Sequence, residues 1–161
     1  MTNGTIIESV KDAIAVAATI LESAEKEVSW LVPAPLLVLA AHFSLNDKSR
    51  LLIQKGGHAR GITQITPLYV GDVSELIDIG IAVRHVEQYS GAFMVVGDCR
   101  QSISAIDVNV KDLSLDDKIV ALWTENSDYA EYLLSSFDRT WADAIDARKR
   151  IEELDDAPPR L

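Results

Sequence analysis

The sequence predicts a single α/β domain in which a mixed β-sheet of about five strands carries helices on both faces. Two observations lead to this fold class: apolar residues recur at helical spacing near both ends of the chain, and short strand-like segments alternate with helical ones between them. The chain has 161 residues, 48% of them hydrophobic, which is enough for one self-sufficient core. We expect one domain over residues 1–154 and a disordered tail over residues 155–161.

An amphipathic helix is predicted for residues 5–26. Its apolar stripe has helical spacing and consists of Ile6, Val10, Ile14, Ala17, Leu21 and Ala24. Residues 28–32, with the sequence Val-Ser-Trp-Leu-Val, are short, β-branched and aromatic, and Pro33 and Pro35 follow them. That composition predicts a buried strand that ends at the proline pair.

The middle of the chain predicts two further helices, a strand and a short helix. Because proline is tolerated in the first turn of a helix, the apolar segment 35–43 is predicted to be helical, with a second helical piece over 46–53. The glycine pair 56–57 ends that piece. Residues 62–66 alternate and predict a second strand, and residues 72–79 predict a short helix.

Three more strands and one long helix complete the prediction. Strands are expected over residues 81–86, 92–96 and 102–108, and a polar, acidic surface loop over residues 109–122. An i, i+4 apolar series then predicts a long C-terminal helix that ends before Pro158. The series consists of Tyr129, Leu133, Phe137, Trp141 and Ile145.

Charge and cysteine content narrow the possible partners and compartments. The chain has 15 basic and 25 acidic residues and a net charge of −10, which should repel a phosphate backbone, so we expect no direct contact with nucleic acid. The single Cys99 forms no intrachain disulfide, and no His or Cys cluster has the spacing of a metal site. A cytoplasmic protein without a metal, a cofactor or a membrane segment is therefore expected.

The sequence carries no motif that announces an enzyme, such as a phosphate-binding loop or a nucleophile elbow. Of the three histidines, His42 is expected in the core or at its boundary and His58 in a solvated turn. His85 lies near a strand end, where open α/β sheets place ligand sites, although a structural role is the stronger expectation. Cys99 is expected to be inert.

A ligand pocket is predicted from polar residues near the strand ends. The candidates are Arg60, Thr63, Thr66, Arg84 and His85. Because a guanidinium group matches carboxylate or phosphate in a bidentate way, a small anion is one expected ligand and a sugar is the other.

Residues 89–98, Tyr-Ser-Gly-Ala-Phe-Met-Val-Val-Gly-Asp, resemble the strand of phospholipase-D-superfamily proteins that carries the pattern H-x-K-x-x-x-x-D. The resemblance implies one half of a phospholipase-D-type fold. It places Ser90, Ala92 and Gly97 at the histidine, lysine and aspartate positions, so the nucleophile and the phosphate-binding ammonium group are missing. A register shifted by one residue supplies Asp98 but loses the other two groups. Either register implies a domain without catalytic residues.

A second resemblance covers about residues 56 to 154 and is carried by short segments such as Gly61-Ile62-Thr63-Gln64-Ile65-Thr66 and Phe137-Asp138-Arg139-Thr140-Trp141. These segments are similar to sensory domains attached to archaeal histidine kinases and transcription regulators, and more distantly to effector domains of the TrmB type. The resemblance implies signal transduction or transcription regulation through a homodimer or a signalling partner.

Three functions follow as hypotheses. The first is a non-catalytic sensory or regulatory domain that acts through a small ligand, dimerisation or both. The second is a purely structural interaction module without a ligand pocket. The third, remote because the nucleophile is missing, is a phosphodiesterase or nuclease.

Overall fold

The structure is a computed structural model that describes residues 4–106 and 113–156. Within those residues one mixed sheet of eight strands has the order β1-β7-β6-β5-β2-β3-β4-β8. The strands are β1 Thr5–Ser9, β2 Glu27–Leu31, β3 His58–Thr63, β4 Ala82–His85, β5 Phe93–Gly97, β6 Gln101–Ala105, β7 Lys118–Thr124 and β8 Ile145–Asp146. The predicted α/β class is confirmed, with more strands than the sequence indicated.

Six α-helices surround the sheet in the described part of the chain. They are α1 Val10–Ser23, α2 Ala34–Ala41, α3 Leu45–Gln54, α4 Val70–Ile79, α5 Ser127–Asp143 and α6 Ala147–Asp156, and a 3₁₀ turn spans Pro67–Tyr69. Strands β2, β3 and β4 are parallel to one another, and the remaining pairs are antiparallel. The carboxyl ends of β2, β3 and β4 therefore lie at the same end of the sheet, where β5 begins.

The sheet has two unequal faces. Five helices, α1 to α4 and α6, cover what we call the helical face, whose core includes Val28, Trp30, Phe93 and Val95 from the central strands. Among the described helices, α5 alone packs on the opposite face, called the α5 face, where the smaller cluster consists of Leu31, Ile62, Met94, Val96, Ala130, Leu133 and Phe137. The alternation of β5 between the two clusters follows from the period of two in a strand.

The first predicted helix is wrong at its start, because residues 5–9 form β1. Ile6 pairs with Leu122 and Ile7 with Ala121. Ser9 then caps α1, since its Oγ accepts the Asp12 N–H at 3.1 Å. The Ser9 cap and the β-branched Thr-Ile-Ile run were the local signals for this boundary.

The loop predicted for residues 109–122 contains strand β7. Its run Lys-Ile-Val-Ala-Leu-Trp-Thr pairs with both β1 and β6. The acidic residues before it obscured the alternation, in which Ala121 is buried and Val120 is 71% exposed. Residues 107–112 lie outside the described residues, and so do the last residues of the predicted strand 102–108.

The long C-terminal helix is in fact two helices. Helix α5 ends at Asp143, and Ile145 pairs with His85 while Asp146 pairs with Arg84, so β8 extends the sheet edge. Backbone pairing with β4 outweighs the i, i+4 series, which continues to Ile145 in the sequence. Helix α6 runs to Asp156, and the rest of the predicted tail lies outside the described residues.

Smaller differences concern strand ends. Strand β3 spans His58–Thr63, whereas the prediction was 62–66, because His58 to Ile62 pair in parallel with Glu27 to Leu31. Gly61 lies against Trp30, where a β-carbon would come within 2.1 Å of the indole ring. Among the described helices none is both long and apolar enough to cross a membrane.

Candidate functional site

A cleft of about 160 Å³ lies at the carboxyl ends of β2 and β3, beside the start of β5. Its lining residues come from the loops that follow β2 and β3, from the first turn of α2, from the 3₁₀ turn and from the loop before β5. They are Pro33, Ala34, Pro35, Gln64, Thr66, Tyr69 and Tyr89. None of these side chains is charged, so the lining offers hydroxyl and amide groups beside apolar ring surfaces. This edge of an α/β sheet is where ligand sites are usually found.

The three positions of the phospholipase-D-like pattern lie along β5 and its approach. Ser90 is exposed, and its Oγ accepts the Ala92 N–H at 3.3 Å. Gly97 is buried against α1, where a β-carbon would lie 2.6 Å from Ile20 Cγ2. An aspartate side chain at position 97 would therefore have no room on the helical face.

Asp98, the carboxylate one residue later, has a structural role. Its two oxygens accept the backbone N–H groups of Glu25, Lys26 and Glu27, each at 2.9 Å. Burial raises the pKa of Asp98, but these three hydrogen bonds and the nearby Arg100 hold it below its usual value. The carboxylate thus fixes the turn between α1 and β2 and faces away from the cleft end of β5.

Tyr89 closes the cleft on the side of the missing motif. Its hydroxyl donates a hydrogen bond to the Ala92 carbonyl, and burial raises the pKa of this phenol well above its usual range. A neutral phenol that lines the cleft is therefore hydrogen-bonded to the backbone of the residue at the lysine position. We did not predict this residue from the sequence, because its role depends on the conformation of the loop before β5.

His85 lies beneath the cleft wall and is 1% exposed. Its Nδ1 accepts the Ile65 N–H at 2.8 Å, so this nitrogen carries no proton and the ring is neutral. Its Nε2 is 3.3 Å from Glu87 Oε1 but does not meet the geometry of a hydrogen bond. Burial and the positive charge of Arg150 lower the pKa of His85, although Glu87 opposes them. These contacts give His85 a supporting role for the loop that carries Gln64 and Thr66.

The two arginines of the predicted ligand site contact helix α5. Arg60 Nη2 donates to Asp138 Oδ1 at 2.9 Å, and its guanidinium carbon is 4.9 Å from the centre of the Phe137 ring. Arg84 lies over Trp141 at 4.3 Å and donates to the Trp141 carbonyl at 2.7 Å. Both guanidinium groups are therefore engaged by α5, and neither lines the cleft.

The five predicted ligand residues thus lie in different surroundings. Thr66 lines the cleft, and His85 supports the cleft wall from below. Thr63 is fully buried and donates to the Val32 carbonyl at 2.8 Å. Gln64, which the prediction missed, lines the cleft and also donates to the Glu87 carbonyl at 2.8 Å, which joins the ends of β3 and β4.

The remaining predicted chemistry is located as follows. His42 is exposed, contrary to expectation, because α2 ends one residue earlier and leaves it as the C-terminal cap. His58 is exposed as expected, but in a strand. Burial and the carboxylates of Glu131 and Glu27 raise the pKa of the Cys99 thiol. Within residues 4–106 and 113–156, no three His, Cys, Asp or Glu side chains are placed to hold a metal ion.

No protein-family profile matches the sequence, and no curated protein matches it. Solved structures do match. TrmBL2, described as an archaeal chromatin protein with a novel mode of DNA binding, superposes with a TM-score of 0.70 at 15% identity over 89% of this chain and 54% of that protein. The chain therefore spans about half the length of TrmBL2.

Two smaller proteins match over almost their whole length. Nuc from Salmonella typhimurium, a phospholipase D family member, gives a TM-score of 0.70 at 11% identity and covers 91% of this chain and 98% of its own. NucT from Helicobacter pylori gives 0.67 at 10% identity, with 91% and 99% covered.

These comparisons correct one prediction and support another. The exclusion of direct nucleic-acid contact was wrong, because it rested on net charge alone and a protein with the same fold, TrmBL2, binds DNA. Identities this low establish the fold and no more. The chain has the phospholipase-D-like fold that the segment around Ser90, Ala92 and Gly97 suggested.

Proposed function

We propose that this chain is a non-catalytic regulatory domain that binds a small, uncharged polar ligand in the cleft at the carboxyl ends of β2 and β3. One observation carries the proposal. Where the phospholipase-D pattern has an imidazole, an ammonium group and a carboxylate, this chain has the hydroxymethyl of Ser90, the methyl of Ala92 and no side chain at Gly97. The fold is retained and the reacting groups are not.

The local packing supports this interpretation. The Tyr89 hydroxyl bonds to the Ala92 carbonyl, and Ile20 occupies the space that a side chain at position 97 would need. A serine hydroxyl attacks phosphorus only with a base beside it, and the hydrogen bond of the Ser90 oxygen in the described structure comes from a backbone amide. Phosphoryl transfer from this position is therefore disfavoured by geometry as well as by residue type.

The lining of the cleft supports a ligand that is polar and uncharged. Tyr69, Tyr89 and the two prolines present flat apolar surfaces, and Gln64 and Thr66 present hydrogen-bonding groups. A charged ligand would find no partner of opposite charge in the lining and would lose its hydration energy on entry. The engaged positions of Arg60 and Arg84 weaken the case for the anion suggested by the sequence.

A thermal-shift series tests the binding function. We expect an uncharged polyol or nucleoside at ten times its Kd to raise the melting temperature by about 3–6 °C. Thr66→Val should remove this shift, because it deletes a cleft hydroxyl at nearly constant volume. Thr19→Val is the matched control, since Thr19 is exposed on α1 and bonds only within its own helix.

The same series contains arms for the other functions. Stabilisation by organic anions alone would contradict an uncharged ligand. DNA binding should be measured in parallel by fluorescence anisotropy with a labelled duplex, because TrmBL2 has this fold and is described as binding DNA. If no compound stabilises the chain and DNA does not bind, an interaction module without a ligand replaces the proposal.

An activity assay tests the non-catalytic part. We expect no turnover of bis(p-nitrophenyl) phosphate by the purified chain. Turnover that is present in the wild type and lost in Ser90→Ala would contradict the proposal. Turnover that Ser90→Ala leaves unchanged and that stays with the chain through repurification would indicate a nucleophile elsewhere in the fold and would also contradict the proposal, whereas turnover that repurification removes belongs to a contaminating enzyme.

A further inference from the structure

A cavity of about 230 Å³ lies at the amino end of β4, between the end of α4 and the start of α6. Its walls on the side of α4 and β4 are mostly apolar, and the side of β8 and α6 contributes the carboxylate of Asp146 and the guanidinium group of Arg148. The cleft lies at the opposite end of the parallel strands and shares no lining residue with this cavity. The cavity is therefore separate from the cleft.

The edge of β4 is open beside this cavity. On one side β4 pairs with β3 from Ala82 to His85, but on the other side β8 pairs only with Arg84 and His85. Successive residues of a strand direct their N–H and C=O groups to alternate edges, so one of Ala82 and Val83 presents both groups where no strand of the described sheet lies opposite. Because both residues line the cavity, it offers a backbone donor and a backbone acceptor to a ligand.

The two charged side chains of the cavity have opposite sign and do not neutralise each other. Asp146 and Arg148 are exposed, and neither forms an ion pair with the other or with any further residue that the structure describes. Arg148 also lies in the first turn of α6, whose basic residues come first and whose acidic residues come last, the reverse of what a helix dipole favours. A carboxylate bound at Arg148 would offset this arrangement, and an ammonium group would find its partner in Asp146.

The volume and the apolar walls limit the size of the ligand. An apolar cavity of about 150 Å³ holds benzene, and this cavity is roughly half as large again, so it has room for about nine non-hydrogen atoms. Ile77 is partly exposed and Gly80 has no side chain, which leaves an apolar surface at the end of α4. A small aliphatic group gains free energy by leaving water there, while charged groups beside it keep polar partners. An amino acid of the size of leucine or isoleucine meets all of these requirements.

We propose that the cavity at the amino end of β4 binds a free α-amino acid with an aliphatic side chain. The ammonium group of the ligand lies at Asp146, its carboxylate lies at Arg148 and its side chain lies against Ile77. The ammonium donor and the carboxylate acceptor also match the backbone groups at the open edge of β4. The site is independent of the cleft and of the function proposed for the cleft, so either proposal can fail without the other.

A nuclear magnetic resonance titration of the full chain with L-leucine tests the site. The backbone N–H signals of Gly80 and Ala82 report on the cavity, and those of Gln64 and Thr66 report on the cleft as an internal control. We expect saturable shifts at Gly80 and Ala82 with little change at Gln64 and Thr66.

Three analogues of leucine test the charge requirement in the same titration. The compound 4-methylpentanoate lacks the ammonium group, leucinamide lacks the carboxylate and N-acetyl-leucinamide lacks both charges. Because each charged contact is also a hydrogen bond to an ionised partner, the loss of either charge should weaken binding by about tenfold. N-acetyl-leucinamide should bind most weakly of the three.

Two pairs of exposed substitutions provide matched variants. Arg148→Gln and Asp146→Asn remove the charges of the cavity, and each should weaken leucine binding by about tenfold. Lys149→Gln and Asp143→Asn remove the same charges from exposed neighbours that do not line the cavity, so they should leave the affinity unchanged.

Four results would overturn the proposal. The first is an absent or non-saturable shift at Gly80 and Ala82, and the second is a shift confined to Gln64 and Thr66, which would place leucine in the cleft. The third is equal loss of affinity in Arg148→Gln and Lys149→Gln, which would reduce the effect to general charge. The fourth is equal binding of N-acetyl-leucinamide and leucine, which would make the open edge of β4 a contact for peptide backbone.

Discussion

The two faces of the sheet are covered by different kinds of interaction. On the helical face, apolar side chains from five helices form a broad core, and Ile20 of α1 packs directly on the backbone of Gly97. On the α5 face, a single helix of the described part of the chain covers a narrower apolar cluster. The end of that helix is attached through Arg60 and Arg84, which contact Phe137, Asp138 and Trp141.

The difference shows how one helix covers half of a sheet. The first turns of α5 lie over Met94 and Val96 of the central strand, where apolar burial is accompanied by one side-chain hydrogen bond, between Tyr129 and Ser104. Farther along, β3 and β4 present Arg60 and Arg84, whose methylene stems pack while their guanidinium groups meet aromatic rings and oxygens. Residues that a linear reading assigns to ligand binding thus fasten a helix to the sheet.

The largest expected effect concerns the apolar part of the α5 face. Phe137 is fully buried, so Phe137→Ala should lower the free energy of unfolding by about 3–5 kcal/mol. Urea denaturation monitored by circular dichroism measures it. Tyr132→Ala, on the exposed side of the same helix, should cost less than about 1 kcal/mol. Similar losses in both variants would show that burial on this face is not what holds α5.

A second prediction concerns the close packing of the helical face. Gly97→Asp restores the carboxylate of the phospholipase-D pattern but drives it into Ile20, so a loss of about 3 kcal/mol is expected. Gly71→Asp is the control, because a β-carbon at Gly71 meets open space in the first turn of α4 and a negative charge there is favourable. If Gly97→Asp folded with unchanged stability, the packing of α1 against β5 would be looser than described.

The sequence predicted those parts of the fold that local periodicity determines. The stripe from Val10 to Leu21 gave α1, and the β-branched, aromatic run around Trp30 gave β2. The sequence-based prediction failed where strand formation depends on pairing with distant segments. Strand β7 is paired on both sides, and β8 forms because Ile145 pairs with His85 of β4. Such long-range pairing leaves little trace in a single sequence.

The candidate site was harder to predict for a related reason. Which way Arg60 and Arg84 point depends on strand register, because a shift of one residue turns a side chain to the other face. Thr66 was predicted because it follows a strand at the end of the sheet where ligand sites are usual, and it does line the cleft. Tyr89 was missed because its contact with the Ala92 carbonyl depends on loop geometry, although its place beside Ser90 in the degenerate pattern was a usable signal.

A third prediction separates the polar attachment of α5 from an ordinary surface ion pair. Arg60→Met keeps most of the stem but loses the contacts with Asp138, Phe137 and Trp141, and we expect a loss of about 1 kcal/mol. Arg50→Met removes an exposed pair with Asp47 and should cost less than about 0.5 kcal/mol. Urea midpoints in low and high salt measure both. Equal losses of stability in the two variants that disappear at high salt would show that Arg60 acts only as an exposed surface charge.

The smallest effect is a pH dependence that originates beneath the cleft. Burial and Arg150 lower the pKa of His85 in the folded chain below the value of about 6.5 that it has when unfolded. As the pH falls through that value, the unfolded chain takes up a proton that the folded chain resists. The stabilising contribution of neutral His85 is therefore present above pH 6.5 and is lost progressively on acidification.

Protonation would also place a hydrogen on Nδ1, against the Ile65 N–H that this atom accepts, and would thus loosen the loop that carries Thr66. His85→Asn provides an acceptor without a titrating group, so its stability should vary less with pH between 5 and 7. Thermal melts of both proteins at closely spaced pH values measure the difference. Identical pH profiles between pH 5 and 7 would leave His85 as a packing residue, because Asp98, whose pKa is held below its usual value, loses its proton-linked stability only at lower pH.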